Sequence, residues 1–169
     1  MSEAAVSTGG APEPDASATR WFDELDEGMR WVSRRRTLTE ADLTLFAGLS
    51  GDYNPIHVDA VAAARGPFGR RLIQGILVLS VTSGLRQQLG VFHESMKALL
   101  EIRGWRFQRA VFIGDTITAV TTIESLRPTS KGDGGVVVQR VDVVNHDGET
   151  VQSGEFVTLM RSRPREPKG

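Results

Sequence analysis

Asp52 and His57 stand five residues apart in Ser50-Gly51-Asp52-Tyr53-Asn54-Pro55-Ile56-His57-Val58-Asp59, on either side of an Asn-Pro step. A carboxylate and an imidazole facing one small volume are the minimum equipment for moving a proton to or from a water molecule. Simple helical periodicity does not bring two such side chains together, whereas a sharp loop can. Proline disfavours the α region for the residue before it, so Asn54 is expected to be extended and the chain to turn there. Asn54 and Pro55 are read as the turn that aims the pair, and Asp59 as the cap of a following helix. The plain alternative is turn chemistry alone, with Asp52 accepting backbone N–H groups and His57 satisfied in a partly buried pocket.

The rest of the composition narrows the chemistry. The chain has 169 residues and a net charge of −1. That length suits one domain, residues 20–162, between a disordered tail at 1–19 and a flexible tail at 163–169. The balanced charge gives no reason to expect nucleic acid or an anionic membrane as partner. There is no cysteine, which excludes disulfides and thiolate metal sites. His57, His93 and His146 lie far apart without metal-ligand spacing, so no metal is expected. The first twenty residues lack the basic start and apolar run of a signal peptide. The longest apolar stretch, Leu72 to Val81, falls short of the roughly 20 residues that span a bilayer. A cytoplasmic location is expected.

Several elements must position the pair. Met29 to Thr37 reads as a first strand. Thr39 caps a helix whose apolar side is Leu43, Phe46, Ala47 and Leu49, and Gly51 stops it. A short helix, Ala60 to Arg65, closes at Gly66-Pro67. A Gly/Pro-rich loop then leads into Leu72 to Leu89, apolar almost all round, as a buried helix is. Strands are expected over 97–108, 115–126, 136–144 and 150–160. In the second of these Ile117, Ala119, Thr121 and Ile123 share a face. Asn145-His146-Asp147-Gly148 reads as a hairpin turn. A buried helix followed by four antiparallel strands makes the class α+β, with a curved sheet around a central helix.

Three blocks carry a resemblance. Phe46 to Asp59, Pro67-Phe68-Gly69-Arg70-Arg71-Leu72-Ile73-Gln74-Gly75-Ile76-Leu77, and Val111-Phe112-Ile113-Gly114-Asp115-Thr116-Ile117 occur in that order. Over about Leu38 to Met160 the chain resembles the MaoC-like, R-specific enoyl-CoA hydratases, which have a hot-dog fold. The resemblance implies that Asp52 and His57 hold and activate water. It implies that the Gly75 N–H binds the thioester carbonyl oxygen and that Ser83 supports the centre. Asn54 and Gln74 are further supporting positions, and Tyr53, Ile56 and Phe68 are expected substrate contacts. The family commonly has histidine where this chain has Gln74. Glutamine still donates and accepts hydrogen bonds and the oxyanion donor is backbone, so the hole is expected to survive; the departure bears on local geometry and substrate preference.

The implied reaction is reversible hydration of 2-enoyl-CoA to (R)-3-hydroxyacyl-CoA, with no cofactor beyond coenzyme A as part of the substrate. The substrate is an acyl-CoA or acyl-carrier-protein thioester. A lone hot-dog unit leaves a sheet edge and an apolar face to cover, so a homodimer is expected, or a heteromer with a related chain. Two other readings stay open: a non-catalytic acyl-thioester-binding subunit partnering an active paralogue, and a hot-dog acyl-carrier-protein dehydratase or thioesterase. Gly75 could instead serve close helix packing, and Ser83 could bond within its own helix. Arg34 to Arg36, Arg70 and Arg71 are solvated charge or partners for coenzyme A phosphates. Trp105 and Phe107 read as core or subunit contact.

Overall fold

Thr39 opens the first helix, α1 (Glu40–Ser50), through a reciprocal capping box: its Oγ1 accepts the Asp42 N–H, and the Asp42 carboxylate accepts the Thr39 N–H. Gly51, at φ 75°, closes α1 in the left-handed conformation that suits glycine. The computed structural model describes residues 19–164. All but Thr19 of the expected N-terminal tail, and residues 165–169 of the C-terminal one, lie outside the described residues. Within the latter, Arg163 is held by Asp23 and Glu24 of a short 3₁₀ helix, Phe22–Glu24.

The expected strand at 29–37 is two pieces, β1 (Arg30–Val32) and β2 (Arg36–Thr37). Ser33 explains the break, because its hydroxyl oxygen, rather than a backbone carbonyl, accepts the Ala119 N–H. After α1 come one-turn helices α2 (Pro55–Val58) and α3 (Ala60–Ala64), then α4 (Gly75–Gln87). Helix α4 starts three residues later than its apolar run suggests. Leu72 pairs with Phe112 in an isolated antiparallel bridge, and the Ile73 N–H donates to the Val111 carbonyl at 2.8 Å. Those two residues are therefore held extended.

Strands β3 (Met96–Phe107), β4 (Thr116–Pro128), β5 (Gly134–Val144) and β6 (Thr150–Arg161) complete an antiparallel sheet in the order β1-β4-β5-β6-β3, with β2 also on β4. The expected shared face on β4 is inward: Ile117, Ala119, Thr121 and Ile123 are all buried. Helix α4 lies across this face, placing Leu77, Val78, Val81 and Leu85 against Ile117, Ala119 and Val143. Each such side chain, fully buried, contributes about 1.5–3 kcal/mol. The fold is thus α+β, a central helix wrapped by a sheet.

Two features depart from regularity. Strand β3 has three register shifts against β6, which is why its sequence alternates poorly. Helix α4 is not buried all round: Ile76, Ser80, Ser83 and Gln87 recur at helical spacing on an open side. Among the described residues β3 pairs only with β6, and its other edge is free. No helix among them is long and apolar enough to cross a membrane.

Candidate active site

The Asp52–His57 loop is built from local hydrogen bonds. The Ser50 hydroxyl donates back to the Phe46 carbonyl at 2.7 Å and accepts the Asp52 N–H at 3.2 Å. Asp52 Oδ1 then accepts the Asn54 N–H at 3.3 Å. Asn54 is extended (φ −54°, ψ 130°), as its position before proline predicts, and its side chain caps α2 by accepting the Ile56 N–H. Pro55 occupies the first helical turn, where its missing N–H costs nothing. His57 is therefore on a one-turn helix rather than in a loop. Asp59 caps α3 through the Val61 and Ala62 N–H groups, as expected.

Two long-range bonds aim His57. Its Nδ1 is 2.9 Å from the Leu72 carbonyl, while the Leu72 N–H donates to the Ile56 carbonyl at 3.1 Å. A carbonyl only accepts, so the Nδ1 proton is fixed and neutral His57 presents an unprotonated Nε2. That Nε2 lies 3.7 Å from Asp52 Oδ2. Two acceptors at that spacing can each take one hydrogen of a bridging water, which leaves the water's lone pairs free. The His57 side chain is 14% exposed and that of Asp52 44%, so the carboxylate faces solvent across the imidazole.

His57 borders a cavity of about 530 Å³ whose wall also includes Gly75 and Ile76 of α4, Phe107 of β3, Gln152 of β6 and Phe68 of the preceding loop. Gln74 is the N-cap of α4 but makes no side-chain cap bond, and the Gly75 N–H has no hydrogen-bond partner among the described residues. An uncapped helix start of this kind carries free donors and partial positive charge. A Cβ at Gly75 would stand 2.7 Å from the Phe107 ring, so a larger residue there has to displace that half-exposed ring. The Gly75 carbonyl accepts a hydrogen bond from Gln152 Nε2 at 3.1 Å, and Gln152 Oε1 accepts one from the Trp105 indole at 3.0 Å.

The other expected site residues are scattered. Phe68 lines the cavity, half exposed; Asp52, Tyr53, Ile56, Gln74 and Ser83 do not. Gln74 is buried and turns toward α1, with Nε2 3.5 Å from the Leu43 carbonyl and Oε1 without a partner among the described residues. Ser83 lies eight residues beyond Gly75, roughly 12 Å along the helix, beside a different cavity. Among the arginines considered for phosphate, Arg36 pairs with Asp42 and Arg71 with Glu40, while Arg70 lies over the Phe112 ring. Hydrogen bonding to Arg71 is the main cause holding the Glu40 carboxyl below the usual range. His93 contacts Gln87, and His146 lies 3.6 Å from Asp147. Leu72, Gln152 and Trp105 are the positioning groups that sequence reasoning missed. One signal was available for Gln152: it falls on the inward face of β6 in step with Phe156 and Thr158, where an uncharged polar residue needs a partner.

A family model described as MaoC like domain matches residues 26–145. The chain belongs to that family. It is 35% identical over 111 residues to a protein of Rhodospirillum rubrum named (R)-specific enoyl-CoA hydratase, covering 66% of this chain and 74% of that one. It is 40% identical over 98 residues to protein MaoC of Klebsiella aerogenes. That match covers 58% of this chain but only 29% of the relative, so the chain spans under a third of that protein's length. The crystal structure of a MaoC-like dehydratase from Rhodospirillum rubrum superposes with a TM-score of 0.76 at 26% identity, covering 86% of this chain and 99% of that one. The MaoC-like architecture, a helix wrapped by an antiparallel sheet, is the hot-dog fold.

Proposed function

We propose that this chain is an acyl thioester hydratase/dehydratase, adding water reversibly to a 2-enoyl-CoA to give the (R)-3-hydroxyacyl-CoA. The observation that carries the reading is the convergence of Asp52 and His57 at 3.7 Å beside a cavity that also reaches the uncapped start of α4. Hydration of a conjugated thioester needs a positioned water, a proton source for the α-carbon and a donor for the charge that builds on the thioester oxygen. A water bridging His57 Nε2 and Asp52 Oδ2 has its lone pair free for the β-carbon. As the new C–O bond forms, the pair takes one proton from that water and returns one to the α-carbon. The Gly75 N–H and the α4 dipole stabilise the enolate-like oxygen. Every atom exchanged is supplied by water and substrate, so the reaction requires no metal or redox cofactor, and coenzyme A enters as part of the substrate.

The free edge of β3 carries exposed Leu99, Ile102 and Phe107, and Ile76 of α4 is exposed nearby. A second copy added along this edge satisfies the unpaired backbone and covers that apolar surface, which favours a homodimer.

The test follows loss of the conjugated enoyl-thioester absorbance with the full chain and a panel of acyl lengths on coenzyme A and on acyl-carrier protein, with chiral separation of the product. Saturable hydration to the R product is expected. Saturable binding without turnover of any thioester would point to a non-catalytic subunit and overturn the enzyme reading.

A further inference from the structure

Arg86 sits on the packed side of α4, only 7% exposed, and no carboxylate contacts it among the described residues. Its Nε donates to the Thr121 hydroxyl at 3.3 Å, and one terminal nitrogen donates to Gln139 Oε1. The Gln139 amide nitrogen donates in turn to the Thr158 hydroxyl at 2.9 Å, so this buried network is neutral apart from the guanidinium. The Phe156 ring centroid is 4.1 Å from Arg86 Cζ. Burial lowers the guanidinium pKa to about 10, which still leaves it a cation at neutral pH. The other terminal nitrogen, Nη1, makes no hydrogen bond among the described residues. Arg86 lines a cavity of about 40 Å³ beside Ser83, Phe156 and Thr158. That is room for a water or a small planar anion, not for a chain.

This small cavity and the large one are separate, with no lining residue in common, but α4, β3 and β6 each contribute to both. Gly75, Phe107 and Gln152 line the large one, and Arg86, Leu99 and Thr158 the small one. Trp105 touches both linings, donating to Gln152 and packing edge-on against Phe156 with centroids 5.6 Å apart. Arg86 lies eleven residues beyond Gly75, roughly 16 Å along the axis, and a helical side chain leans back toward the N-terminus. The cation is thus placed at the depth an acyl tail reaches from a carbonyl held at Gly75. A hydrocarbon tail would leave a desolvated charge unanswered there, which is costly. A carboxylate answers it in charge and in planar shape.

Building on the hydratase reading, we infer that the acyl group ends in a carboxylate received by Arg86. The substrate class is the ω-carboxy-2-enoyl thioesters, monothioesters of unsaturated dicarboxylic acids.

The experiment uses the full-length protein with pairs of 2-enoyl-CoA substrates of equal chain length, one ending in methyl and one in carboxylate. Wild type is expected to prefer the carboxylate at a matching length by roughly 10–100-fold in kcat/KM, the size of one charge-assisted hydrogen bond, carried mainly by KM. Arg86→Met is expected to abolish the preference while turning over the methyl-ended substrate, and Arg86→Lys to keep part of it. No preference in wild type at any length, or its survival in Arg86→Met, overturns the inference. Should Arg86→Met fail to fold, thermal unfolding of wild type with saturated acyl-CoA pairs gives the answer. A larger upshift with the ω-carboxy member supports the site, and equal upshifts overturn it. A free dicarboxylate that produces the same upshift without coenzyme A marks a standing anion site and overturns the assignment to substrate. An ω-carboxy preference in binding with no turnover of any enoyl thioester supports the Arg86 site while the hydratase reading fails.

Discussion

The two ends of α4 each present positive charge to a cavity that β3 also lines, yet they make it differently. At the start it is the partial charge of free backbone N–H groups, with Gln74 offering no side-chain cap and Gln152 holding the Gly75 carbonyl. Three turns on it is the full charge of Arg86, buried against Thr121, Gln139 and Phe156 with no carboxylate contact among the described residues. A fixed dipole suits negative charge that exists only while bonds are changing, because it needs no reorganisation when the charge appears. A whole cation suits charge that the ligand carries throughout. On the proposed reading, one end serves the reaction and the other the selection of substrate.

The two ends differ most at Gly75. Gly75→Pro deletes the N–H at a helix position that tolerates proline, and Gln74, at φ −59° and ψ 130°, already has the backbone that a residue before proline adopts. Gly75→Ala keeps the N–H, and its Cβ meets the same Phe107 ring. The proline variant is expected to lose on the order of 100–1000-fold in kcat, and the alanine variant far less. Circular dichroism checks that α4 survives in both. Equal losses would assign Gly75 to packing.

Gln152→Leu sharpens the same end. It removes the donor to the Gly75 carbonyl and the acceptor for Trp105, so the glycine is less well held. Roughly 10–100-fold in kcat with little change in KM is expected, read from steady-state hydration kinetics. At the far end, Gln139→Leu strips Arg86 of one of its acceptors. That is expected to cost about 1–2 kcal/mol of stability by urea titration while kcat on methyl-ended substrates holds. Thr39→Ala touches neither end. Losing the α1 cap should cost about 1 kcal/mol and leave both kinetics and substrate preference alone.

Legibility in the sequence follows the same division. Thr39, Gly51, Asn54 and Asp59 act on their own neighbours within a few residues, and local chemistry predicts what each does. The inward faces of β4 and β5 follow from period-two alternation, with Val137, Val141 and Val143 fully buried. Asn54 followed by Pro55 is itself a helix-start signal, and it accounts for α2 where a plain turn is expected. What escapes is what depends on distant partners. The Leu72 carbonyl that fixes the His57 tautomer is 15 residues away, and the Gln152 amide that holds Gly75 is 77 away. Arg86 reads as one polar residue near the end of an apolar run; only the sheet behind it shows that its partners among the described residues are neutral. The start of α4 differs from the sequence expectation for a related reason, since the bridge between Leu72 and Phe112 overrides the apolar periodicity of residues 72–74.

On the proposed mechanism Asp52 and His57 act as a unit on one water. Enoyl-thioester hydration by wild type, Asp52→Asn, His57→Ala and the double variant tests it most directly, with folding checked by circular dichroism. Residues that act as a unit give non-additive losses. Each single variant is expected to lose most of the rate, and the double variant to lose little more than the worse single one. Wild-type turnover in either single variant, or losses that multiply in the double, would contradict it.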